Sequence, residues 1–269
     1  MRLVDSHCHL QADRFAADVD LVIGAARLAG VERILVPGWD AASSHAALAL
    51  VERQPWLQAT AGVHPHQAAD VDAAGWRAIV ALASDARVVA IGETGLDFDR
   101  LFSPAHAQLV NLRRNLALAR ETGKPAILHC RSRDGERGAQ DTLLRELDAA
   151  GLAASDRPAA VIHSYSGPVD YGQAMIDRGY SISFSGLVFR RGEEASAAVA
   201  ALVPFDRLLV ETDSPYLAPP GATRRRNEPE WVRVTARWLA EQRGEGDDVL
   251  GDALVASYAA AFDRGPLAR

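Results

Sequence analysis

Short apolar runs rich in β-branched residues alternate along the chain with longer stretches of helical hydrophobic period. The short runs are "LVDSHCHL" (3–10), "RILVPG" (33–38), "QATAGVHP" (58–65) and "VVAIGETG" (88–95), then "PAILHC" (125–130), "AAVIHSYSG" (159–167), "YSISFSG" (180–186) and "LLVETDSP" (208–215). Runs of this length and composition read as strands, and apolar positions at i, i+3 and i+4 read as helices. Helical patterns lie between the runs, among them "AADVDLVIGAARLAGV", "HAQLVNLRRNLALARETG" and "DTLLRELDAAG". The second ends in Thr-Gly, a helix stop. Strand and helix in alternation predict a parallel sheet. Eight such units in 269 residues predict an α/β fold, the (β/α)8 TIM barrel, with a doubly wound open sheet as the alternative. "EWVRVTARWLAEQR" and "DDVLGDALVASYAAAF" predict two C-terminal helices packed on the barrel, then a frayed tail from Asp263. No low-complexity linker or short repeat breaks the pattern, so residues 1–269 read as one domain.

Strands covered on both faces should be nearly continuous apolar runs, which makes the polar interruptions informative. They fall at the C-terminal end of run after run: His7 and His9 in the first, His64 in the third, Glu93 in the fourth, His129 in the fifth, His163 in the sixth and Asp213 in the eighth. Side chains at i and i+2 share a strand face, so Asp5, His7 and His9 point one way. In a barrel these ends meet on the rim where such enzymes place their chemistry. A single strand-end histidine has an ordinary structural explanation, and His45 and His106, away from strand ends, receive it. Seven at one rim form a donor set of neutral imidazoles and two carboxylates, suited to zinc, manganese or magnesium. Two such ions about 3.5–4 Å apart would clamp the attacking and leaving oxygens of a phosphoryl displacement and acidify a bound water. Hydrolysis is the expected chemistry.

Composition narrows the class. With 48% hydrophobic and 24% charged residues the chain reads as ordinary globular protein. It has no apolar stretch of membrane-spanning length, so no membrane association is expected, and its N-terminus lacks a signal-peptide pattern. The two cysteines, Cys8 and Cys130, are too few for a disulfide scaffold and point to a reducing cytoplasm. A net charge of −6 argues against broad duplex binding, which runs on neutralised phosphates, while leaving room for a local basic cleft. Of the 29 basic residues only Lys124 is lysine.

The runs "VDSHCHL", "AGVHPHQ", "IGETGLDF", "PAILHCR", "VIHSYSG" and "LLVETDSPYLAP", followed by "RRNEP", resemble in order the TatD family of metal-dependent deoxyribonucleases, within the amidohydrolase-like barrels. The resemblance spans residues 3 to 229. It implies that His7, His9 and Asp213 hold one divalent ion, that His129 and His163 hold a second, and that Glu93 bridges the two. Asp213 would also orient or deprotonate the attacking water, and His64 would contact substrate phosphate. Related barrels bridge with a carboxylated lysine, but Lys124 precedes its strand and falls at the opposite end, which favours Glu93. The chain departs from the family pattern in "HSYSG", in Thr94 and in Ser257, none of which removes a ligand.

Neighbouring residues complete the expected site. Asp5 and Glu211 read as carboxylates that orient ligand imidazoles. Cys8 and Cys130 read as small buried hydrophobes, and Pro65 and Pro215 as shapers of loops. Arg131, Arg190, Arg191, Arg225 and Arg226 follow strands five, seven and eight, where barrels bind phosphate; Arg131, Arg225 and Arg226 are the candidate substrate contacts. The leading expectation is a two-metal phosphodiesterase acting on single-stranded DNA. The same ligands would serve an amidohydrolase, deaminase or deacylase, since metal-activated water attacks carbonyl and phosphoryl centres alike. The Pro-Cys-x-x-Cys signature of zinc nucleobase deaminases is absent. A barrel kept only as a binding protein would have lost a ligand, and none is lost. No obligatory protein partner is expected.

Overall fold

The eight apolar runs become eight strands in the computed structural model, which describes residues 1–152, 156–222 and 226–263. They are β1 (Leu3–Asp5), β2 (Val31–Val36), β3 (Leu57–Ala61), β4 (Val88–Asp97), β5 (Ala126–Arg131), β6 (Ala160–Ile162), β7 (Ser181–Phe184) and β8 (Leu208–Val210). Each pairs in parallel with the next, in chain order. The sheet then closes between the segments that follow β8 and β1. Ser6 N–H donates to the Val210 carbonyl at 2.9 Å, Asp213 N–H to His7 at 2.9 Å and His9 N–H to Ser214 at 2.8 Å. The result is a (β/α)8 barrel; the open-sheet alternative falls on this seam.

Asp5 belongs to the same seam, which corrects its expected role. Its carboxylate accepts Thr212 N–H at 2.9 Å, the Thr212 hydroxyl at 2.6 Å and His7 N–H at 3.3 Å. It therefore clamps backbone across the closure and orients no imidazole ring.

Helices α1 (Val19–Leu28), α2 (Ala41–Arg53), α3 (Ala73–Ala83), α4 (Ala105–Thr122), α5 (Gly138–Ala150), α6 (Val169–Asp177) and α7 (Ala195–Leu202) alternate with the strands. The predicted Thr-Gly stop holds: Gly123 closes α4 in the left-handed conformation at φ 61°, which glycine adopts without steric cost. The last two helices are α8 (Val232–Arg243) and α9 (Asp247–Phe262), and both pack against β1 and β8. Of the tail expected from Asp263, residues 264–269 lie outside the described residues. Val4, Ile34, Ile91, Ile127, Ile182 and Leu208 are among the fully buried apolar side chains of the core. Among the described residues no helix is long and apolar enough to cross a membrane.

Four strands end well before the sequence expectation. β1, β3, β6 and β8 stop four or five residues early, because the chain leaves the ladder and bends over the barrel mouth. Two of these bends use left-handed residues that are not glycine, Ser164 at φ 45° and Asp213 at φ 55°. Such conformations are sparsely populated and persist where surrounding structure over-determines them. β4 does the reverse and runs two residues past Gly95, to Asp97. At the opposite end of β5, Lys124 donates to the carbonyls of Ala83 at 2.6 Å and Asp85 at 2.9 Å, far from the mouth.

Candidate metal centre at the barrel mouth

All seven strand-end residues converge, with Glu93 in the middle. Its Oε2 lies 3.1 Å from His7 Nε2 and 3.7 Å from His9 Nε2. Its Oε1 lies 2.9 Å from His163 Nε2, 3.3 Å from His129 Nδ1 and 3.1 Å from His64 Nε2. Asp213 Oδ1 completes the first side, 3.3 Å from His9 Nε2 and 4.0 Å from His7 Nε2. One carboxylate thus gives an oxygen to each of two donor groups, His7–His9–Asp213 and His129–His163, that strands from opposite parts of the barrel bring together.

The donor set fits divalent ions. His163 Nδ1–H donates to Glu211 at 3.1 Å, and His129 Nε2–H donates to Asp97 at 3.3 Å. In neutral imidazole the other nitrogen then carries a lone pair, and these two inward nitrogens face each other at 3.4 Å. His7 Nε2 and His9 Nε2 lie 3.3 Å apart on the other side of Glu93. Two pairs of ring nitrogens gathered on one carboxylate form a donor arrangement that divalent ions fit. Atoms bound about 2.0–2.2 Å from a shared ion stand roughly 3.0–3.5 Å apart, the spacing observed. Glu211 accepts from His163, whereas His7 Nδ1 has no hydrogen-bond partner among the described residues; the His7 ring stacks on His163, centroids 3.9 Å apart.

Electrostatics polarise the cluster. Burial alone would raise Glu93, but His163, His64, His7 and His129 outweigh it and hold the carboxyl well below its ordinary value. Burial likewise disfavours ionised Asp213, but His9, with His7 and His163, outweighs it and holds this carboxyl below its ordinary value too. His163 is raised against its burial by Glu93 and Glu211. His64 is pushed down to about 4, mainly by burial, with Glu93 opposing. His64 is therefore neutral, and its tautomer is set by its neighbours. Nδ1 accepts the backbone N–H of His66 at 3.1 Å, so Nε2 bears the proton that reaches toward Glu93.

Two residues of the site escaped the sequence reading. Asp97 is buried, and its Oδ2 accepts from both His129 Nε2 and, at 2.7 Å, His66 Nε2. His66 in turn lies beside His64, ring centroids 4.3 Å apart. Both were present in the quoted motifs, as the second histidine of "HPHQ" and the aspartate of "GLDF". The even spacing of Asp97 from Glu93 was the available signal. The nitrogens of His64, His66 and His129 are close enough to suggest a further ion site. Hydrogen bonds occupy three of the ring nitrogens there: His66 Nε2 and His129 Nε2 donate to Asp97, and His64 Nδ1 accepts the His66 amide.

A cavity of about 380 Å³ opens above the cluster, lined by His64, His66, Arg100, Arg131, Asp213 and Tyr216 among others. Arg131 is at this wall, paired with Asp99 at 2.9 Å. Arg226 is a correction. Its guanidinium forks onto Asp18 at 2.9 Å through both nitrogens, reaches Glu228 at 2.8 Å and lies over the Phe15 ring. Its donors are taken by protein carboxylates, so it staples the loop after β8 to the chain ahead of α1 and is not free for phosphate. Arg225 lies outside the described residues. Arg190 and Arg191 are exposed beyond a 3₁₀ turn that follows β7, and His45 and His106 are exposed on α2 and α4. Cys8 and Cys130 are buried, and burial pushes the Cys130 thiol up to about 12.

A family model described as TatD related DNase matches residues 4–263. The 3'-5' ssDNA/RNA exonuclease TatD of Salmonella typhimurium strain LT2 is 38% identical over 249 residues, 90% of this chain and 92% of the relative. Its counterpart in Pectobacterium atrosepticum is 38% identical over 256 residues, 93% of this chain and 95% of the relative. Among solved structures, YJJV, a TatD homologue from Escherichia coli K12, superposes with a TM-score of 0.86 at 29% identity, covering 98% of this chain and 99% of that one.

Proposed function

The chain belongs to the TatD-related DNase family, and from that premise we propose that it hydrolyses phosphodiester bonds of single-stranded nucleic acid with two divalent ions at the barrel mouth. The observation that carries this reading is the split of Glu93, one oxygen toward His7 and His9 and the other toward His129 and His163. His7, His9 and Asp213 would hold one ion and His129 and His163 the other, with Glu93 shared. Zinc, manganese and magnesium suit such mixed nitrogen and oxygen donors, zinc best for so many imidazoles. Bound there, the ions supply electrophilic stabilisation of phosphoryl oxygens and a more acidic water.

The protein's own groups divide the remaining work. Asp213 lines the cavity and its side chain is 15% exposed against 3% for Glu93, so it is the carboxylate that attacking water reaches and that takes its proton. His64 is a donor: its Nε2–H reaches Glu93 and would turn to a phosphate oxygen when ions occupy that carboxylate, and its filled Nδ1 leaves no lone pair to act as base. Arg131 on the cavity wall supplies positive charge for a flanking phosphate. A concave site at a barrel mouth admits an unpaired strand more readily than a duplex, and the Salmonella relative is named for single-stranded substrates.

The test is a comparison of chelator-stripped and reloaded protein on end-labelled single- and double-stranded DNA beside a panel of amides and esters. We expect no strand cleavage after stripping, recovery with Mn²⁺, Zn²⁺ or Mg²⁺, and preference for the single strand. Full turnover by the thoroughly stripped protein, or hydrolysis of amides with no cleavage of any strand, would overturn the reading.

A further inference from the structure

Phe102 is a large aromatic side chain left 66% exposed at the edge of the candidate centre. Its ring meets His66 edge to face, centroids 4.7 Å apart at 85°, and His66 lines the cavity. The exposure is built into the loop between β4 and α4. At the loop's start, Asp97 Oδ1 accepts the N–H groups of Asp99 at 3.1 Å and Arg100 at 2.8 Å. At its end, the Ser103 hydroxyl donates to the His66 carbonyl at 2.8 Å and accepts Ala69 N–H at 3.0 Å. Gln108, fully buried, ties both ends together by donating to the carbonyls of Asp97 at 2.9 Å and Ser103 at 2.8 Å. Between these clamps Leu101 is held at φ 51°, a conformation that costs a γ-branched residue energy. A fold that anchors a short loop this firmly, at a strained residue, has the means to turn Phe102 inward and instead presents it.

The same loop carries a matching charge. Arg100 lines the cavity and, unlike Arg131, forms no ion pair with a protein carboxylate among the described residues. An exposed aromatic face and, two residues away on the same clamped loop, a guanidinium on the cavity wall complement a single nucleotide: a base to stack and a phosphate to pair. Every base has a π-face, so stacking is tolerant of sequence. We infer that residues 98–103 form a nucleotide subsite, with Phe102 stacking one base of the substrate strand and Arg100 binding the adjoining phosphate. The inference rests on the proposed nuclease activity and adds to it the contact that holds the strand.

The experiment walks a single reduced abasic residue through the terminal positions of a single-stranded oligonucleotide, from each end in turn. Cleavage by the metal-loaded wild type is compared with Phe102→Ala and Phe102→Tyr. In the wild type, loss of the base at one position should lower kcat/KM by about 5- to 150-fold, the range of aromatic–base stacking. Phe102→Ala should abolish the difference between intact and abasic strands at that position, and Phe102→Tyr should retain it. Arg100→Gln should weaken cleavage of the intact strand and flatten its salt dependence. The subsite is overturned if the wild type cuts intact and abasic strands alike at every position. It is equally overturned if Phe102→Ala keeps the wild-type difference. A wild type that cuts no strand at all would overturn the nuclease reading itself, and the subsite with it.

Discussion

Asp97 does three jobs with two oxygens. One oxygen accepts hydrogen bonds from His129 and His66, and the other accepts them from the backbone of the loop that follows. Its carboxyl is buried, yet those imidazoles hold it well below its ordinary value. The bond to His129 Nε2 is what leaves Nδ1 free to face Glu93. A partner of this kind raises ligand basicity and fixes ring orientation, and its loss typically lowers metal affinity about 10–100-fold. Asp97→Asn should therefore weaken metal binding by that factor, read by competition with a coloured chelator. Glu211→Gln should act similarly through His163. If Asp97 served only the loop, the variant would melt earlier while binding metal as tightly as the wild type.

Among the elements, β4 is the one on which the centre depends most. It carries Glu93 and ends at Asp97, and it pairs with β5 through Gly95 opposite His129 and Asp97 opposite Arg131. Gly95 sits at φ 138°, and a Cβ there would drive into the His129 carbonyl, a backbone atom that cannot step aside. Gly95→Ala should destabilise the fold by about 3 kcal/mol or more and displace His129. Thermal melting would show the first and metal content of the purified variant the second. Gly24 is the control, since it lies on the exposed face of α1 with nothing near its missing Cβ. Gly24→Ala should stabilise by about 0.5–1 kcal/mol through helix propensity. Equal effects at both sites would remove the special role assigned to the β4–β5 crossing.

For the whole molecule, the centre is a knot joining strands from all around the barrel, so metal binding and stability are linked. Ions at 100 times their dissociation constant add about 2.7 kcal/mol each, and removing them should lower Tm by at least about 5 °C. The stripped protein should also acquire a pH optimum. Glu93 has its folded pKa depressed from an ordinary 4.5, so the stability it contributes is present above that value and lost as pH falls. His163 has its folded pKa raised from an ordinary 6.5, so its contribution is present below that value and lost as pH rises through the folded pKa. Melting of stripped protein should thus be best between these values, while loaded protein keeps its stability above pH 7. Melting curves with and without chelator across pH decide this, and coincident curves at pH 7.5 would refute the link.

The alternation of apolar runs and helical periods was enough to predict a barrel, because burial of strands and amphipathic helices leaves its mark on every element. It was also enough to single out His7, His9, His64, Glu93, His129, His163 and Asp213, since a charged or imidazole group there interrupts an otherwise apolar run. Hydrogen-bond partners leave no such mark. Asp5 and Glu211 look alike as acids one pleat behind a candidate ligand, and only the closed barrel decides that one clamps the backbone of Thr212 and His7 and the other meets His163. Arg226 reads in sequence like any rim arginine, yet Asp18, more than two hundred residues earlier, takes its guanidinium. Asp97 and His66 became visible as a pair only when β4 ran past Gly95 and the 3₁₀ turn after β3 folded beside it. Local sequence determines which residues are apolar, turn-forming or able to bind a metal. Which carboxylate meets which imidazole is a contact between distant segments, and only the closed barrel brings those segments together.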